Sequence, residues 1–124
     1  MLQVEIIDEA LAVAEQGLAA THSTGAPYYE AELLRLRSDC FVAMGESHFA
    51  RAERGYLDSL EVAHAQKALS WELRTSMSLL NLLTKQKRQA EGKSRLGEVY
   101  SRFSQGFNTQ DLVNARRLLE GSVI

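Results

Sequence analysis

Apolar side chains recur at spacings of three and four along almost the whole chain and hardly ever alternate, a pattern that folds as helices rather than strands. Val4, Ile7, Leu11, Ala14 and Leu18 form one such row, widened by Ile6, Ala10 and Val13, and predict a first helix over 2–20. The Thr21-His22-Ser23-Thr24-Gly25 run closes it. Pro27 then suits the first turn of a second helix, where its missing N–H has no partner to lose. Leu33, Leu36, Cys40 and Met44, with Leu34 and Phe41 beside them, give that helix its buried row, and Gly45 supplies a left-handed stop. Ser47 is the expected cap of a third helix that turns Phe49, Ala52, Tyr56, Leu60 and Ala63 inward. A fourth, over 68–86, spreads Leu69, Leu73, Met77, Leu79, Leu80, Leu82 and Leu83 around much of its circumference, which places it between neighbours. Leu96, Val99, Tyr100 and Phe103 mark a fifth, broken by Gly106. Thr109 caps a sixth, with Asp111 in its first turn and Leu112, Ala115 and Leu119 buried. The expectation is all-α: about six antiparallel helices joined by short loops.

At 124 residues and 13.8 kDa the chain is one ordinary domain, 1–124, too short for two units that each bury a core. Its 45% hydrophobic and 24% charged content is that of a soluble globular protein, without a membrane-spanning run or low-complexity tract. A net charge of −2 offers no overall field to attract phosphate backbones, which argues against nucleic acid as a partner. Cys40 is the lone cysteine, and no basic segment followed by an apolar block opens the chain; both features point to the cytoplasm. The charge is unevenly spread. Residues 1–34 carry Glu5, Asp8, Glu9, Glu15, Glu30 and Glu32 with no lysine or arginine, a local −6. The remaining ninety residues hold 14 basic and 10 acidic side chains, a local +4. Such a split can steer head-to-tail contacts between molecules or simply coat solvated helix faces.

Helices two to five read as two copies of one hairpin. Gly45 at the first hairpin turn aligns with Lys87 at the second, 42 positions on. Small residues, Ala52 and Gly92, follow where the hairpin's second helix meets its first, and larger ones, Tyr56 and Leu96, come four positions later to fill the gap. Leu34, Ser38 and Phe41 occupy the first helix's packing positions in copy one. The pattern resembles the tetratricopeptide repeat. It departs from that motif at Arg37, at Leu80 in place of a small residue, at Lys87 in place of the turn glycine, and by two extra residues between Gly45 and Ala52. A narrower resemblance rests on the stretches from Tyr28 to Arg37, from Trp71 to Leu79 and from Val99 to Leu112. Its most specific part is the run from Tyr100 to Leu119, with Gly106-Phe107, Thr109, Asp111-Leu112 and Leu118-Leu119 in order. These are similar to the C-terminal repeats of bacterial signalling proteins in which a class III adenylate or guanylate cyclase domain, or a winged-helix activator domain, precedes a signal-transduction ATPase. The resemblance implies a right-handed solenoid fragment: repeats over 27–66 and 68–103, the 2–20 helix as the orphan second helix of a hairpin, and 109–121 as a cap. No G-x-x-x-x-G-K-[ST] phosphate loop is present, so neither cyclase nor ATPase activity comes with it.

Chemistry is sparse. His22, His48 and His64 are too scattered to chelate, no H-E-x-x-H or C-x-x-C spacing occurs, and no residue is assigned to catalysis, metal or cofactor. Glu61 and His64 share a face as an ordinary surface pair. Cys40 is expected to be a buried, slowly reacting thiol. Lys85, Lys87, Arg88, Lys93 and Arg95 are the best candidate for a polyanion site, though cations at a helix C-terminus have a simpler role there. Trp71, Tyr28, Tyr29 and Phe107 are expected to pack between helices.

The resemblance also implies a groove lined by the first helices of the hairpins: Glu32, Arg35, Asp39 and Val42 in one copy, Arg74, Met77, Asn81 and Thr84 in the other. Arg35, Arg74 and Asn81 there can hydrogen-bond a peptide, whereas Asp39 repels a terminal carboxylate. An open apolar face on the first helix, with Val4, Ile7 and Leu11, is the candidate interface for a homodimer. The expected function is therefore noncatalytic binding of a protein or peptide, with self-association through the first helix as the alternative.

Overall fold

The computed structural model describes residues 2–24 and 29–121, with side chains over 5–21 and 29–121. Among them are six α-helices and no strand: α1 (Leu2–Thr24), α2 (Glu30–Met44), α3 (Phe49–Ala65), α4 (Leu69–Lys85), α5 (Gln89–Tyr100) and α6 (Gln110–Glu120). The all-helical expectation holds, with differences at the ends. The first helix continues four residues past 20, because Thr21 returns its hydroxyl to the Leu18 carbonyl at 2.7 Å instead of diverting the backbone. Val4, Gly25, Pro27 and Tyr28 lie outside the described side chains, so the expected start of the second helix falls there.

Gly45 does end α2, but at φ +119° and ψ 174°, an extended conformation open to glycine and not the expected left-handed helical one. Ser47 is not a cap. It lies inside a single 3₁₀ turn, Glu46–His48, that runs straight into α3, so backbone carbonyls receive the first amides and no side-chain cap is needed. α5 ends at Tyr100, before the expected break, and Gly106 (φ +78°) bends the loop that follows. Thr109 caps α6 as expected, accepting from the Leu112 N–H at 3.4 Å, and Gly121 closes it in the left-handed conformation.

Three-residue loops, Gln66–Ala68 and Gln86–Arg88, join α3 to α4 and α4 to α5, so these helices fold back on one another. Both loops close with the same pair of bonds, Lys67 N–H to His64 and Ala68 N–H to Ala63 in one, Lys87 N–H to Thr84 and Arg88 N–H to Leu83 in the other. Lysine, not glycine, takes the left-handed position in each, with φ of +58° and +61°.

Each helix packs against the next, and α2 also meets α4 and α4 meets α6. α4 is central, as its leucine distribution requires. Leu79, Leu82 and Leu83 join Phe41, Ala52 and Tyr56 in one core, while Leu73 and Leu80 join Leu96, Val99, Leu112 and Ala115 in another. Close approach of α4 and α5 depends on Gly92, where an added Cβ would sit 3.0 Å from the Leu80 Cα. Ser59 ties the layers together by donating to the Ala31 carbonyl at 2.8 Å and sharing a 2.8 Å bond with Thr75.

Candidate functional site

The groove row comes together on α2 and α4, and every guanidinium on it already holds a carboxylate. Arg35 and Glu32 stand one turn apart on α2 and form a two-point pair at 3.0 Å in both bonds, with Arg35 Nη1 reaching Asp39 at 3.2 Å. Arg74 of α4 crosses to Glu32 at 3.5 Å and bonds Asp111 of α6 at 2.9 Å. Glu32 is thus shared by two arginines, and the row reads Asp39, Arg35, Glu32, Arg74, Asp111 with alternating sign. Behind it, the buried Tyr56 phenol donates to Asp39. Burial pushes the Asp39 carboxyl above its ordinary value, against the Tyr56 bond, Arg35 and Ser78. The Tyr56 phenol is pushed up by burial and then by Asp39.

Asn81 is exposed and lines a recess of about 510 Å³ with Asp39, Val42, Met77 and Lys85. Of the four groove residues, then, Asp39 and Asn81 share one recess, while Arg35 and Arg74 belong to the ion-pair row. The expected use of those two arginines on a peptide competes with partners the chain itself supplies. Sequence inspection could not find Asp111 as one of them, because it lies 37 positions from Arg74.

The other candidate surface lies between α1 and α2. A trough of about 650 Å³ is lined by Ile6, Ile7, Ala10, Val13 and Ala14 from one helix and Leu33, Leu36, Cys40 and Ala43 from the other, with Glu9 and Asp39 the two acids in its lining. Ile6 is 57% exposed, Val13 65% and Leu36 43%. Apolar side chains therefore stand open on the first helix, and of the residues expected there Ile7 is among the lining. Ile7 is half-buried in the trough, Leu11 packs against the core around Phe41, and the Val4 side chain lies outside the described residues. Leu36 and Met44, expected in the buried row of the second helix, are exposed because α1 covers only part of that stripe. Cys40 is buried, and burial pushes its thiol up, as an inert cysteine requires.

A third cluster was not legible in the sequence. Glu72 of α4 is 4% exposed and receives Arg102 at 2.6 and 3.3 Å, with His64 Nδ1 at 3.5 Å from the same carboxylate. His64 thus pairs with Glu72 and shares a recess of about 520 Å³ with it and with Glu61. The basic cluster is partly spent. Arg88 holds Glu53 of α3 at 2.8 and 3.0 Å and Glu91 at 3.1 and 3.0 Å, a clamp between α3 and α5 rather than a free phosphate contact. Of the aromatics, Tyr29 meets Trp71 with ring centroids 6.1 Å apart and Phe107 meets Tyr100 at 5.9 Å, both pairs tilted, and Tyr29 and Phe107 remain exposed.

Among the described residues, no three His, Cys, Asp or Glu side chains gather as a metal site, and no helix is long and apolar enough to cross a membrane. No family model, curated protein or solved structure matches this chain.

Proposed function

We propose that the chain is a noncatalytic protein-interaction module: a right-handed, tetratricopeptide-like stack of helical hairpins resembling the regulatory end of cyclase and transcriptional-activator ATPases, working in the cytoplasm. Its docking surface is the α1–α2 trough, and its partner is a protein or peptide helix. One observation carries this reading. The trough exposes Ile6, Val13 and Leu36 side by side, whereas the groove's arginines already bond carboxylates of this chain. Clustered apolar area of this kind marks interaction sites on proteins of this size. The contacts of α2 with α4 and α4 with α6 support stacked hairpins.

The test is mapping of backbone amide shifts while helical peptides are titrated into the full chain. Shifts confined to α1 and α2 support the trough; shifts along Arg35, Arg74 and Asn81 support the groove instead. Self-association is the second reading, favoured by the same exposed isoleucine and valine. Light scattering separates it: a mass near 13.8 kDa at all concentrations argues for a monomer, and a dimer abolished by Val13→Glu argues for the homodimer.

A further inference from the structure

We infer that the trough selects a basic amphipathic helix, an apolar stripe flanked by lysine or arginine, over a twofold pairing with α1 of a second copy; this rests on the trough being the docking surface. Glu9 and Asp39 stand among its lining residues, and no lysine, arginine or histidine does; Asp39 is already held by Arg35 and Tyr56, so the open negative charge is that of α1. Glu5 lies one turn from Glu9 on α1, and both are exposed. No base occurs anywhere in residues 1–34. A twofold dimer of α1 on α1 uses one patch twice, so it sets the acids of this segment against one another with no lysine or arginine of α1 to answer them. An incoming helix with cations beside its apolar stripe meets opposite charge there instead. Anionic lipid headgroups are repelled by the same rim.

The geometry also sets the partner's spacing. Ile6 and Val13 are separated by about 10 Å along α1, at 1.5 Å per residue, which matches apolar anchors at i, i+4 and i+7 of a docked helix.

Two synthetic helical peptides test this, sharing one leucine stripe at that spacing and differing only in lysine or glutamate flanks. Each is titrated into the full chain by fluorescence anisotropy at low and high salt. The lysine peptide should bind about tenfold more tightly, as two or three exposed charge pairs allow, and its advantage should shrink with salt. Glu5→Lys with Glu9→Lys should reverse the preference, and Ile6→Glu with Val13→Glu should abolish binding of both peptides while the helical circular dichroism is retained. Equal, salt-independent binding of the two peptides would overturn the charge selection and leave the docking surface standing. Binding of neither, with or without a dimer in light scattering, would overturn both.

Discussion

The polar row on α2, α4 and α6 and the apolar trough between α1 and α2 share Asp39, yet they solve opposite problems. Along the row each charge is answered by another from the chain itself: Glu32 alone serves Arg35 and Arg74, and is only 14% exposed while doing so. Along the trough nothing answers Ile6 or Val13. A surface whose groups are mutually satisfied fixes how helices sit on one another. A surface left with uncovered apolar area gains free energy only when something else arrives. The row is therefore architecture, and the trough is the proposed recognition surface, although fold resemblance alone favoured the row.

Substitutions can break that division. The largest stability loss is expected from Asp39→Ala, which strips the acceptor from Tyr56 and one partner from Arg35; about 2 kcal/mol should be lost in urea denaturation, with little effect on peptide binding. A loss in binding larger than the loss in stability would move the ligand site to the row. Glu32→Ala leaves Arg35 and Arg74 as neighbouring like charges, and should cost about 1 kcal/mol, more at low salt than at high.

Two acids should respond to pH with opposite sign. Burial first holds the folded Asp39 carboxyl above its unfolded value, so its contribution is complete at low pH and fades as pH rises through the folded value. Asp39→Asn should accordingly gain on the parent protein above about pH 4, where an unperturbed carboxylate ionises. Glu53 is held below its ordinary value, chiefly by its hydrogen bond from Arg88. Its stabilising contribution is present above the unfolded value and lost as pH falls, so Glu53→Gln should flatten the acid limb of the stability curve. Parallel curves for parent and variants would remove both assignments. The smallest change in stability, within about 0.5 kcal/mol, is expected for Ile6→Glu or Val13→Glu, because these side chains are already in water. A thermal melt that collapses in either variant would make α1's outer face part of the core.

Much of the fold is legible because helical period is a local property. The spacing of Leu69 to Leu83 was enough to put α4 at the centre, and Thr109 with Asp111 was enough to start α6. Local rules failed where the backbone had a cheaper alternative. Thr21 could bond back to its own helix, and a 3₁₀ turn made Ser47 unnecessary as a cap. Exposed apolar side chains on α1 were also expected, though only Ile7 of the residues named for them lines the trough. Of the expected row Val4, Ile7 and Leu11, Leu11 packs against the core while Ile7 stays half-buried in the trough lining. What stays exposed is the flank, Ile6 and Val13.

Sequence by itself determined that this chain is helical, with about six helices in the order found, and that the N-terminal helix carries more apolar side chain than one neighbour can cover. Tertiary structure decided which charges cancel. Arg74 with Asp111, Arg88 with Glu53 and Arg102 with Glu72 are separated by 37, 35 and 30 positions. Periodicity fixes the face on which a side chain stands, but only the packing of one helix against another brings two distant faces within hydrogen-bonding reach, and so settles which guanidinium is spent and which apolar side chains stay in water.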